Sequence, residues 1–278
     1  MSKARNRPPR LEPSVGHQEV APPPTLPQVL ERSHVAGRAT SPGPSELRRL
    51  VERAASDRVQ PVLLDDAWAA VNEVFGGTAE APRIDPTLTI TAAKDAVARI
   101  VDVAGTGAHV ALATSRPASL LTVYLALARL ARISGGDVAD DDEDSTPLRV
   151  DGRAARTIRW VDGVAVVTDG QSLCETRGPE AAAEWLFLVP RPAIVVADGP
   201  YADAALDAGI EVVALGGLDH CSLAVARKRG HSCLVVPMWT DRPPGAYRPL
   251  LETALGAAIA PPGTNGSTDH AKGTNGSS

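Results

Sequence analysis

The chain has 278 residues, 44% of them apolar, which is ample for a buried core and excludes a wholly disordered protein. Its formal charge of −5 is uneven, since residues 1–44 carry six Lys/Arg against three Glu and the remainder is net −8. An acidic body repels a polyphosphate backbone, so nucleic acid is not expected as a partner except through the basic first residues.

Residues 1–27 hold seven prolines (Pro8, Pro9, Pro13, Pro22, Pro23, Pro24 and Pro27) among polar and basic residues, a composition that does not repay the entropy of ordering. This predicts a disordered Pro-rich basic arm, a candidate contact for a protein partner. No apolar leader precedes or follows Lys3, Arg5, Arg7 and Arg10, and the longest apolar stretch, residues 117–131, is broken by Arg129 and too short to cross a bilayer. Cys174, Cys221 and Cys233 are odd in number and widely spaced, as free thiols in a reducing compartment would be. A cytoplasmic protein that does not span a membrane is expected.

Apolar residues at helical spacing predict two lead-in helices over 45–55 and 65–74. From Thr91 the pattern alternates: helix 92–103, strand 109–113, helix 117–133. The acidic run 137–144, with six acids in eight positions, predicts a solvated loop. Segments 157–161 and 164–168 flank Asp162-Gly163, the signal of a two-residue hairpin turn. A helix opening at Gly178-Pro179-Glu180 follows, then strand 193–197, helix 201–208, strand 211–215, helix 222–228, strand 233–237 and a final helix over 244–257. Residues 261–278, where Gly-Thr-Asn-Gly-Ser occurs twice, read as a disordered tail. The predicted fold is a single α/β domain over 28–260. It has an open, mostly parallel sheet, helices on both faces, one inserted hairpin and a helical lead-in.

Open sheets of this kind bind ligands outside the carboxyl ends of their strands, so those positions carry the functional search. The first offers Thr114, Ser115, Arg116 and Ser119 ahead of a helix with Pro117 at its start, where N–H groups, hydroxyls and a guanidinium converge on an anion or else merely cap the helix. The others offer Asp198; Asp219 and His220 after Gly216-Gly217; and Asp241 with Arg242. If the strand order brings them together, Asp198, Asp219 and Asp241 could hold a hard cation opposite the anion loop; otherwise each is a helix cap. His220-Cys221 with Arg227 has the bare spacing of a cysteine phosphatase loop, but Leu223, Ala224 and Val225 are helix-compatible where such a loop needs glycine.

Two resemblances arise at these residues. Val110 to Pro117 resembles the second motif of the haloacid-dehalogenase-like phosphatases and Ala197 to Asp203 loosely resembles their fourth, while their paired nucleophile aspartates are missing at Asp85-Pro86-Thr87. More broadly, residues 30–255 resemble a bacterial protein family labelled only phosphatase, through His34 to Gly37, Ile84 to Thr89, Ala113-Thr114 with Pro117, Val195 to Asp198 and Val235 to Pro237. Ser115-Arg116 replaces that family's Gly-His, Leu218 to Ser222 replaces its Asp-Cys-Asn-Asp-Pro run, and its His-x-His pair is missing near Cys174.

The resemblance implies a phosphatase-like protein that handles a phosphorylated small molecule, with metal-assisted ester hydrolysis as the specific expectation. Thr114, Ser115, Arg116, Ser119 and Arg242 would bind substrate. Asp198 and Asp219 would hold Mg2+ or Mn2+, and His220 or Asp241 would act on the attacking water. The alternative is a catalytically degenerate member that binds a ligand or a partner protein.

Overall fold

In the computed structural model the described residues are 22–38, 41–56, 60–138, 146–148 and 156–259. Most of the N-terminal arm, the acidic run beyond Val138 and the Gly/Thr/Asn/Ser tail lie outside them. In chain order the elements are α1 (Leu26–Arg32), β1 (Gly37–Arg38), α2 (Pro44–Ala55), α3 (Leu64–Phe75), β2 (Arg83–Ile84), α4 (Pro86–Ala104), β3 (His109–Ala113) and α5 (Pro117–Ile133). Then come β4 (Asp137–Val138), β5 (Thr146–Leu148), β6 (Arg156–Val161), β7 (Val164–Thr168), β8 (Leu173–Cys174), α6 (Glu180–Leu188), β9 (Ile194–Ala197) and α7 (Gly199–Asp207). β10 (Glu211–Gly216), a 3-10 turn (Leu218–His220), α8 (Ser222–Lys228), β11 (Cys233–Pro237), a second 3-10 turn (Pro244–Tyr247) and α9 (Arg248–Ile259) complete the series.

The main sheet runs β11-β10-β9-β3-β7-β6-β5, with β4 also on β3 and β8 on β7. β11, β10, β9, β3 and β7 are parallel, and β6 returns antiparallel to β7 through the expected Asp162-Gly163 turn, with both residues at positive φ. Ile194 to Ala197, Val212 to Leu215 and Val164 to Val167 are buried throughout, because a parallel strand covered on both faces needs apolar side chains on both. On one side α4 packs against α5 and α9; elsewhere α7 packs on α6, and α8 on α2 and α3. No helix among the described residues is long and apolar enough to cross a membrane.

Three local differences from the sequence reading have visible causes. α1 begins at Leu26, inside the expected arm, where the Thr25 N–H donates to Gln28 Oε1 (2.9 Å) and buried Leu30 anchors the turn to the core. α4 starts six residues early, at Pro86, because Asp85 caps it by accepting from the Thr87 N–H (2.7 Å). Asp137, the first member of the acidic run, lies in β4 and meets His109 Nδ1 at 2.8 Å.

The connections define the crevice. From β3 the chain proceeds through α5 toward β7 on one side, whereas β9 leads through α7 to β10 and β11 on the other. Sheet order therefore reverses between β3 and β9, and outside the carboxyl ends of these strands the diverging connections leave the cleft in which open α/β sheets bind ligands.

Candidate functional site

Register decides which strand ends meet. Ala113 pairs with Ala197, and Ala197 with Ala214, so Thr114 and Asp198 emerge side by side and the Gly216-Gly217 turn emerges next to them. Asp198 is buried, and its carboxylate accepts from the Ser115 N–H (3.1 and 3.2 Å) and from the Ser115 hydroxyl (2.6 Å). The N–H and hydroxyl of Ser115, expected to face an anion, thus donate to a carboxylate of the chain itself. Burial pushes the Asp198 carboxyl above the usual range, while the bonds from Ser115 pull it back. The hydroxyls of Thr114 and Tyr124 face the same carboxylate; that of Tyr124 is buried without an aligned hydrogen bond, and Thr114 Oγ1 accepts from the Arg116 N–H (3.1 Å).

A second group stands further out. Arg116 Nη2 donates to Asp219 Oδ2 (2.7 Å), and His220 Nδ1 lies 3.4 Å from the same oxygen. Side-chain exposures of 24%, 36% and 23% for Arg116, Asp219 and His220 leave all three within reach of solvent, in contrast with Ser115 and Asp198. Burial opposes ionisation of Asp219, yet the hydrogen bond and charge of His220, with Arg116, hold its carboxyl at about 2. Burial likewise works against the His220 imidazolium, and Asp219, helped by Asp203 and opposed by Arg116, raises its pKa above the ordinary histidine value.

Gly199 joins the two groups. It has φ +52°, and a Cβ there would lie 2.8 Å from Ser115 Oγ and 3.5 Å from His220 Nε2. Ser115 Oγ and His220 Nε2 therefore face one small space that only glycine leaves open. Gly199→Ala combines a left-handed backbone with that collision and is expected to cost about 2–3 kcal/mol in urea unfolding. Unchanged stability would show that the crevice is looser than this.

The remaining predicted residues border the cluster. Ser119 Oγ donates to the Thr240 carbonyl (2.6 Å), tying the first turn of α5 to the segment after β11. Tyr247 fixes that segment: its hydroxyl donates to the Trp239 carbonyl and accepts from the Arg242 N–H, both at 2.9 Å. Asp241 is exposed and lies 3.2 Å from Arg242 Nε without hydrogen-bond alignment. Cys221 is buried and its thiol is pushed by burial up to about 12, while Arg227 pairs with Glu73 (3.1 Å); neither serves a thiolate nucleophile. Sequence reading passed over Gly199, Tyr124 and Thr176, whose N–H donates to the Ser115 carbonyl (2.9 Å). Of these only Gly199 carries a sequence signal, a glycine directly after a strand-end aspartate.

Mg2+ and Mn2+ want several oxygen ligands with free lone pairs. Asp198 is spent on Ser115 and Asp219 on Arg116 and His220, and among the described residues no three His, Cys, Asp or Glu side chains are grouped to hold a metal ion. The donor set as arranged does not fit a resident divalent cation; an arginine and a buried serine occupy the oxygens that one would use.

The chain is 27% identical over 233 residues to Phosphatase SCO2771 of Streptomyces coelicolor, a match covering 77% of this chain and 87% of that protein. No solved structure matches it significantly. The family model described as Phosphatase matches residues 25–260, from the cap of α1 through the end of α9 and so across every strand end considered above. The chain belongs to the Phosphatase family.

Proposed function

We propose that the crevice outside β3, β9 and β10 binds the phosphoryl group of a small phosphate monoester, and that Arg116 and His220 act on it directly. The observation that carries this reading is the sharing of one carboxylate by two partly exposed cationic side chains. Arg116 and the protonated form of His220 outnumber the single carboxylate they share, so donors of both are left for a phosphoryl oxygen at the mouth of the crevice. The N-termini of α5 and α7 adjoin it and add positive potential.

Arg116 has N–H donors beyond the one given to Asp219, in a planar fork that suits two phosphoryl oxygens. With Nδ1 toward Asp219, His220 turns Nε2 toward Gly199 and Ser115, where it can protonate the leaving oxygen. In the resulting hydrolysis water attacks phosphorus in line and the bond to the leaving alcohol breaks, His220 Nε2 giving that oxygen its proton. One water proton stays on the hydrogen phosphate formed and the other enters solvent, from which His220 is reprotonated. Little base assistance is needed if the transition state is loose. No step uses a resident metal.

Arg116→Ala is expected to weaken inorganic phosphate binding and raise KM for a phosphate monoester by roughly tenfold to a hundredfold, the worth of a charge-assisted pair. His220→Gln is expected to slow phenyl phosphate more than 4-nitrophenyl phosphate, whose leaving group hardly needs a proton. Turnover that persists in excess chelator supports the metal-free reading; strict Mg2+ or Mn2+ dependence overturns it. Wild-type binding and turnover in both variants would overturn the assignment of these residues.

Binding without turnover is the second reading, and one observation favours it: Ser115 and Asp198 are spent on each other and Asp219 is held at about 2, which leaves no strong base beside the site. It predicts phosphate binding that Arg116→Ala abolishes, with no hydrolysis of either ester.

A further inference from the structure

A groove of about 700 Å³ runs between α6 and α7. Its lining is mostly apolar, with Pro179, Ala183, Leu186, Pro200 and Ala204, and Phe187, which borders it, keeps 87% of its surface in water. An aromatic side chain held out beside an apolar hollow marks a surface that another surface covers.

The groove has a direction. α6 ends just before β9 and α7 starts just after it, while β10 runs parallel to β9, so both helices are antiparallel to β9 and parallel to each other. Arg177, Pro179 and Pro200 therefore mark the end at the carboxyl side of the sheet, and Phe187, Asp207 and Ala208 the end at the amino side. Along the axes Pro179 and Phe187 are about 12 Å apart on α6, and Pro200 and Asp207 about 10 Å apart on α7, so the two walls are of matching length. The charges at the ends are opposite. The Arg177 side chain is 92% exposed, and its 3.7 Å approach to the exposed Glu175 is worth little in water, which leaves the guanidinium available. Asp207 stands in the last turn of α7, whose free carbonyls disfavour a carboxylate; that turn has no basic residue, and Asp207 is in no ion pair among the described residues.

A surface of this kind complements itself when reversed. Turned about a two-fold axis perpendicular to the groove, a second copy sets its Phe187 over Pro179, Ala183 and Pro200 of the first and its Arg177 against Asp207 of the first, and the symmetry makes each contact twice. The helices then cross the interface antiparallel, so that the positive end of each faces the negative end of its counterpart. We propose that the face formed by α6 and α7 is the interface of a symmetric homodimer, in which Phe187 of each copy fills the groove of the other and Arg177 of each meets Asp207 of the other. A second copy answers the ring, the hollow and both end charges at once, because this one face carries both halves of every contact. None of these residues belongs to the group around Arg116, Asp219 and His220, and the dimer stands or falls apart from the phosphoryl site.

Sedimentation equilibrium of the full chain between roughly 1 and 100 μM tests this, with a dimer expected to dissociate within that range. Phe187→Ser, at an exposed position, should weaken the dimer by about tenfold or more and leave the far-UV circular dichroism as it was. Arg177→Asp and Asp207→Lys, each alone, set like charges against each other at both ends of the interface and should each weaken it by about tenfold. Mixed in equal amounts the two variants should recover the wild-type affinity, since a mixed dimer has an opposite-charge pair at both ends. A chain that stays monomeric at the highest concentration overturns the proposal and leaves the groove to a different partner. A dimer indifferent to Phe187→Ser, or a mixture no stronger than either charge variant alone, overturns it as well, by placing the interface elsewhere or the copies in another orientation.

Discussion

Asp198→Ala is expected to lower the unfolding free energy by about 2–4 kcal/mol and the melting temperature by roughly 5–15 °C, the larger of the stability effects predicted here. The Ser115 N–H and hydroxyl both end on this carboxylate at the join of β3 and β9, where water does not reach, so removing it strands two buried donors at once. Asp198→Asn should cost less, because the amide oxygen can still accept from one of them. The pH dependence has a definite sign. A carboxyl raised in the folded state favours its protonated form there, so wild type gains stability relative to Asp198→Asn as pH falls through the raised value toward the unfolded value near 3.8. Urea unfolding of the three proteins between pH 4 and 8 measures both effects. An asparagine variant more stable than wild type at neutral pH would mean that the charge is a net burden and that its bonds to Ser115 do not hold the strand ends together.

The same pair shows what the sequence could and could not convey. Every strand of the parallel core was visible as an apolar run, because burial on both faces leaves no alternation to confuse with a helix, and Asp162-Gly163 announced the hairpin. The strand ends were therefore located, and with them Thr114, Ser115, Arg116, Asp198, Asp219 and His220. Their pairing was not visible. Ser115 and Asp198 are 83 residues apart and meet only because β9 lies beside β3, an order that periodicity does not encode. Composition also misled at one point: prolines at 22–24 and 27 read as arm, although Thr25 with Gln28 is a capping pair and Pro27 is suited to a first helical turn. The buried, unaligned hydroxyls of Tyr124 and Thr176 carried no sequence signal: Tyr124 lies in an apolar stretch that reads as core, and Thr176, between Glu175 and Arg177, reads as loop.

Asp219→Asn is expected to have the largest effect on function, by changing how His220 titrates. In the wild type the largest influence on His220 is burial, which disfavours the imidazolium, and the hydrogen bond and charge of Asp219 overcome it; Asp203 adds to them and Arg116 opposes. Without the Asp219 charge, burial and Arg116 face Asp203 alone, so the pKa falls. The folded form of the wild type gains from both members of the pair in a window set by their directions. Asp219, depressed to about 2, contributes fully above the unfolded carboxyl value near 3.8, and His220, raised, contributes fully below the unfolded histidine value near 6.5. That contribution is lost as pH rises through the raised His220 pKa, and in Asp219→Asn the loss should begin at lower pH. The His220 ring signal, assigned by its disappearance in His220→Gln among the six histidines, reports the shift directly. If His220 is the proton donor proposed above, the basic limb of the pH profile for phenyl phosphate moves with it, and phosphate affinity at pH 8 falls more than at pH 6. Arg116, no longer paired with Asp219, cannot compensate, because its own charge adds to burial in pushing the imidazolium to lose its proton. A His220 titration identical in wild type and Asp219→Asn would show that the 3.4 Å approach carries no electrostatic coupling, and the donor would then have to be sought elsewhere in the crevice.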